Sequence, residues 1–214
     1  MCWNENVSLN TFLFSLFVLT LIGYNNSYTK YKIQELNNTW MYIFFASFIF
    51  MQLIEFFIWR NINNKFYNNF FSIIGLLLLF IQPVASIMIL QNIELRNLLL
   101  ASYLLVAIPY SIYKFSTNHI HTVVSKCGHL KWIAFQNPSI VWVVWLFFFL
   151  FSFVHQRIWG GLLFAFITLL ISFLNYINDK TMASMWCWSV NSIMIYYAIY
   201  LLIYLPFLEK QKIC

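Results

Sequence analysis

Apolar residues in this chain do not alternate with polar ones; they come in unbroken blocks. Seven blocks nearly free of charge lie at about 9–24, 39–59, 70–91, 98–113, 139–155, 160–176 and 185–205. Short segments rich in Asn and Lys separate them, such as "NNSYTKYKIQELNN" and "RNINNKFYNN". A hydrocarbon layer roughly 30 Å thick is crossed by about 20 residues of helix rising about 1.5 Å each, which matches these blocks. Membrane-spanning strands would show strict alternation over about ten residues, and none is seen. The pattern predicts an all-α polytopic membrane protein, a bundle of seven transmembrane helices forming one domain over residues 1–214.

Composition sharpens this class. Hydrophobic residues make up 62% of the chain and charged residues 8%, and mean hydropathy is +0.75, outside the range of a soluble globular domain. The net charge of +6 comes without a basic cluster, which points to the lipid bilayer and its anionic headgroups as partner and away from nucleic acid. Orientation is undetermined, because Lys and Arg divide evenly between the two faces of a seven-helix arrangement. The glycosylation-type triplets at Asn6, Asn25 and Asn37 fall on both faces. Met1–Leu9 carries Glu5 and no basic residue, unlike a secretory leader, so the first block is expected to be retained. Cys2, Cys127, Cys187 and Cys214 form no CxxC pair, which argues against a thiol–disulfide relay.

An ionisable side chain at membrane depth costs about 2.5 to 3.5 kcal/mol, so it marks a candidate site. Glu55, in "FMQLIEFFIWRN", is the clear case. Gln52 precedes it by three residues and shares its helical face. Burial would favour the neutral acid unless a cation or a donor such as Gln52 offsets it, the tuning that a proton carrier, metal ligand or general base requires. Against this stands a shallow Glu55 that reaches headgroup water or Arg60. In the third block, Pro83 should free the carbonyl near residue 79 and bend the helix beside Gln82 and Ser86. In the last, Cys187 and Asn191 are four residues apart, while Trp186 and Trp188 read as an interfacial belt.

The connection "STNHIHTVVSKCGHLKWIAFQNP" holds His119, His121, Cys127 and His129. All are zinc-ligand types, but their spacing is not a standard zinc pattern. β-branched and aromatic residues on both sides of Cys127-Gly128 predict a hairpin over about residues 118–136, with that pair as a two-residue turn. Val124 would then face Lys131 and His121 would face Ala134, which puts His121 and His129 on opposite faces and argues against a shared metal site. A helix would instead align His121, Ser125 and His129. Counting alternate crossings, the Glu55 end of the second helix, the histidine loop, Asp179 and Cys187–Asn191 share one face of the membrane, as a one-sided pocket requires.

Retinal binding is excluded, since no Lys occurs between Lys180 and Lys210. The acidic-Arg pair after helix three and the Asn-Pro pair in helix seven of G-protein-coupled receptors are missing, and although Ser125 and His129 mimic the Ser-x3-His of alkaline-ceramidase-like hydrolases, helix seven has no histidine to complete that pattern. Met1-Cys2-Trp3, "MQLIEFFIWRN" at 51–61, "CGHLKW" at 127–132 and "SMWCW" at 184–188 resemble signature pieces of an uncharacterised multi-pass membrane family of giant DNA viruses and protists. That resemblance implies a membrane protein with Glu55, Cys127, His129, Trp186 and Cys187 in one design, and it implies no activity or cofactor. The leading expectation is a small-solute or proton-coupled transporter or a receptor-like sensor, with Glu55 titrating and Gln52, Gln82, Cys187 and Asn191 binding a ligand. The alternatives are a lipid-modifying enzyme, metal-dependent or not, using Glu55, His121, His129 and Asp179, and a structural membrane component.

Overall fold

A computed structural model describes residues 4–33, 36–117, 120–135 and 139–208. The helices are α1 (Glu5–Tyr28), α2 (Thr39–Arg60), α3 (Lys65–Met88), α4 (Ile93–Thr117), α5 (Ser139–His155), α6 (Trp159–Tyr176), α7 (Met182–Val190) and α8 (Ile193–Ile199). Two short strands, β1 (Thr122–Val124) and β2 (Leu130–Trp132), lie between α4 and α5. Six helices are long and apolar enough to cross a membrane, the last being α7 and α8 taken together through Leu208. α5 has 17 residues, about 25 Å of helix, slightly short of a full hydrocarbon layer.

The asparagines of the polar segments start the helices. The side-chain oxygens of Asn4, Asn38, Asn64 and Asn92 accept from backbone N–H groups of Val7, Trp40, Phe66 and Leu95 at 2.9 to 3.2 Å. Each such cap satisfies a donor that the first helical turn leaves open and is worth about 1 kcal/mol. Composition bias alone does not explain these positions.

Cross-helix contacts fix the directions. Glu55 meets Ser184, and Phe48 meets Asn191, so α2 and α7 are antiparallel. Gly75 faces Ile54, and Phe57 stacks on Phe71 at 4.9 Å, so α2 and α3 are antiparallel as well. Trp145 Nε1 donates to the Leu79 carbonyl at 3.0 Å and Ser86 Oγ to the Phe149 carbonyl at 2.6 Å, which makes α3 and α5 parallel. The largest core cluster joins α1, α2, α5 and α7 through rings such as Phe44, Phe48, Phe149 and Trp186. Trp186, 3% exposed, is therefore a core residue and not part of an interfacial belt.

The proline in α3 costs little because its consequence is met by neighbours. Pro83 cannot bond the Leu79 carbonyl, and Trp145 from α5 takes it. Tyr103 Oη from α4 donates to the adjoining Phe80 carbonyl at 2.8 Å. The bend is thus tied down on two sides, as a membrane helix needs where backbone bonds are lost.

The hairpin forms, but in a different register from the expected one. Val123 faces Lys131, Val124 faces Leu130, and Thr122 faces Trp132. Gly128 N–H bonds the Ser125 carbonyl at 3.0 Å, Ser125 N–H bonds the His129 carbonyl at 2.8 Å, and Gly128 has φ 78°. This is a three-residue loop with glycine in the left-handed position, where a side chain is strained. The added residue shifts the pairing by one. His121 and His129 consequently share a face, yet four residues of strand, about 13 Å, separate their levels.

The other face of the hairpin, with Thr122, Leu130 and Trp132 all buried, docks on α3. Asn68 accepts from Thr122 N–H at 2.9 Å and donates to its carbonyl at 2.8 Å, acting as a surrogate strand. Gly75 leaves room for the Trp132 ring, which a Cβ there would overlap. Replacing Asn68 by Ala would leave two buried backbone groups unpaired, at about 1 to 3 kcal/mol each. The expected outcome is a stability loss of about 2 kcal/mol or more in thermal unfolding in detergent, together with faster tryptic cleavage at Lys126. Unchanged melting and cleavage would show that other contacts hold the hairpin.

Candidate functional site around Glu55

The site begins with local helix geometry. Gln52 and Glu55 sit one turn apart on α2 and are both 0% exposed. Gln52 Nε2 donates to Glu55 Oε2 at 3.2 Å, and Ser184 Oγ from α7 donates to Glu55 Oε1 at 2.7 Å. Ser184 stands in the first turn of α7, whose N-cap Thr181 makes no side-chain capping bond. The positive end of that helix therefore lies beside the carboxylate. Two donors and the positive end of a helix thus converge on this buried carboxyl.

Apolar side chains close the site. Met51, Ile54, Ile58, Leu79, Leu130, Trp132 and Cys187 form one buried cluster, to which the hairpin contributes Leu130 and Trp132. Two recesses in the bundle, of about 40 and 30 Å³, are lined almost wholly by apolar side chains, and Glu55 borders neither. The Glu55 carboxylate itself lies wholly inside the contact between α2 and α7.

Further along α7 the helix breaks. Asn191 and Ser192 N–H groups bond the carbonyls of Trp188 and Ser189 at 3.0 Å, a tightened turn before α8 resumes. Asn191 Nδ2 donates to the Cys187 carbonyl at 2.8 Å and makes a long contact of 3.5 Å with the Phe48 carbonyl. Ser184, which holds Glu55, was not among the sequence candidates; it lies one residue before the seventh apolar block at 185–205, and α7 begins earlier, at Met182.

A second polar group forms where the hairpin tip meets the α6–α7 turn. The exposed Cys127 thiol lies beside the Asp179 carboxylate, which holds the thiol above its ordinary range. His129 is 7% exposed and meets Tyr176 edge-on at 5.3 Å. Burial lowers its pKa, partly opposed by Asp179. Cys127 and His129 thus lie by Asp179, while Ser184 and Gln52 bond Glu55. His119 lies outside the described residues, His121 is half-buried, and no three metal-ligating His, Cys, Asp or Glu side chains meet among the described residues. Asn175 on α6 is exposed and donates to the Ile171 carbonyl of its own helix.

The fold and the site together define a membrane-embedded all-α bundle with a buried carboxylate. Comparison with protein-family models, curated proteins and solved structures finds no match to this chain.

His129 makes the hairpin dock pH-sensitive. A histidine whose folded pKa is lowered is protonated more readily in the unfolded chain, so its contribution is complete above the unfolded value near 6.5 and is lost as pH falls below it. Thermal stability should therefore drop between about pH 7.5 and 5.5, and His129→Gln should make that limb shallower. An unchanged limb in the variant would assign the acid sensitivity to another group.

Proposed function

We propose that this chain is a membrane-embedded transporter or receptor-like sensor in which Glu55 gains and loses a proton, coupled to movement of α7 against α2. The observation that carries this reading is the fully buried Glu55 carboxylate bridged to Ser184 across those two helices. Protonation would weaken the acceptor that holds α7, so charge and helix position are linked. Seven crossings are part of the reading. α5 runs beside α3 in the same direction from Trp145 and Leu79 to Gln156, whose Nε2 donates to the Ile89 carbonyl at 2.7 Å, which supports counting it as a span. The partners are then the bilayer and a small solute or lipid, with Gln52, Gln82, Cys187 and Asn191 as the polar surface that such a ligand meets.

A lipid-modifying enzyme would need a histidine or a metal beside Glu55. Of the hairpin histidines, His129 feels the charge of Asp179, and His121 stands about 13 Å along the hairpin from His129.

The test compares wild type with Glu55→Gln, which keeps the shape of the carboxyl. Purified protein in detergent is followed by thermal unfolding between about pH 5 and 9, with and without a chelator. The expected result is a pH dependence in wild type that the substitution flattens over the range where Glu55 titrates, with no chelator effect. Stability that responds to the chelator would overturn the reading in favour of a metal-dependent one, and identical pH profiles would remove Glu55 as a titrating group. Glu55→Leu should be more costly than Glu55→Gln, since it strands the Ser184 and Gln52 donors at about 1 to 3 kcal/mol each.

A further inference from the structure

Among the described residues, three side-chain amides have a buried atom with no hydrogen-bond partner: Gln52 through Oε1, Asn191 through Oδ1, and Gln82 through both Oε1 and Nε2. All three are at most 3% exposed. Asn68 of α3, also buried, has both ends paired: its nitrogen donates to the Ile62 and Thr122 carbonyls and its oxygen accepts from Thr122 N–H. Unused amide atoms in an apolar interior are expensive, and native structures supply them with ordered water or a ligand.

The three amides lie within about one helical turn of a common level in the bundle. The Phe48 carbonyl that Asn191 Nδ2 approaches is the acceptor, by helix geometry, for the N–H of Gln52. Asn191 and Gln52 therefore flank the same carbonyl. Gly75 faces Ile54 across α2 and α3; seven residues further along α3, about 10 Å, the antiparallel register brings Gln82 to the level of Ser47 and Phe48. Gln82 and Asn191 thus share a depth on two helices that both adjoin α2. Met51, Leu79 and Cys187, clustered together, occupy the stretch between that depth and Glu55. The break in α7 at Asn191–Ser192 falls at the same depth.

We propose that this seam between α2, α3 and α7 binds a file of water molecules running from the Glu55 carboxylate past Gln52 to Asn191 and Gln82. Water suits the site better than an ion. The unpaired atoms include three carbonyl oxygens and one amide nitrogen; a cation would satisfy the oxygens and repel the nitrogen's hydrogens, and an anion would do the reverse. A water molecule both donates and accepts, and bridges two to four polar groups. The file leads from Glu55 away from the hairpin, which closes the other end with Leu130 and Trp132. In function it supplies the route by which a proton reaches Glu55, and that role rests on the reading of Glu55 as a titrating group. The presence of the water does not.

The test is X-ray hydroxyl-radical footprinting of the purified protein in detergent, since radicals formed from bound water oxidise the side chains beside it. Met51 lines the seam and is 1% exposed; Met41, 2% exposed, lies ten residues earlier on α2 in the larger apolar cluster and is an equally buried control. The expected result is oxidation of Met51 and Cys187 at least about fivefold faster than Met41, a ratio that falls towards one in Gln82→Leu. Thermal unfolding of Gln82→Leu gives a second readout: a dry, unpartnered amide replaced by leucine raises Tm, whereas loss of a water ligand lowers it or leaves it unchanged. Equal oxidation of Met51 and Met41 in wild type overturns the proposal, as does a ratio that Gln82→Leu does not alter. The wild-type ratio needs no variant to fold. It is also independent of the Glu55→Gln pH profiles, so a dry seam beside a titrating Glu55 is distinguishable from a wet seam beside a silent one.

Discussion

The bond from Ser184 Oγ to the Glu55 carboxylate, 2.7 Å long and fully buried, sets the relation of the first half of the bundle to the last. α2 is already fixed by extensive contact with α1 and α3. α7 is a short helix followed by a break, with an N-cap whose hydroxyl is unpaired, and has little intrinsic stability of its own. A charge-capable acceptor at its first turn compensates for both weaknesses. The carboxylate answers the positive end of the helix and takes a side-chain donor. The same contact ties the first turn of α7 to the middle of the bundle through Glu55.

The hairpin is understood through that bond. A two-stranded ribbon of three residues per strand is not stable by itself; it persists because Asn68 and Ser72 of α3 bind Thr122, and because Trp132 fits over Gly75. Its buried side chains then cover the cluster next to Glu55. Water excluded from this end strengthens the electrostatic terms acting on the carboxylate. The tip reaches over to Asp179 through Cys127, so the α6–α7 turn and the cover of the site are joined outside the hydrophobic layer.

The helical class was legible because burial in lipid demands continuous apolar blocks, and the chain has them. The burial of Glu55 was not, since its position five residues from Arg60 allows either a core or a headgroup location until α7 and the hairpin are in place. The hairpin register failed by one residue for a local reason: Cys127-Gly128 fits a two-residue turn, but only Gly128 adopts the left-handed conformation, and a three-residue loop needs only one such position. Asn68, the residue that docks the hairpin, lay in a stretch that looked like composition bias. Its role depends on a partner 54 residues away, and no local pattern carries that information.

Two irregularities in the helices are resolved in opposite ways, and the contrast separates architecture from candidate chemistry. At Pro83 the freed Leu79 carbonyl and its neighbour are taken by Trp145 and Tyr103, side chains from two other helices. Such a bend is closed on itself and calls for nothing more. At Asn191 the break in α7 is accompanied by an amide that uses only its nitrogen, level with an α3 glutamine that uses neither end. A buried amide left in this state costs free energy that an apolar side chain would not. Gln82 stands one position before a proline whose freed carbonyl is already taken by Trp145, so the accommodation of the proline makes no use of it.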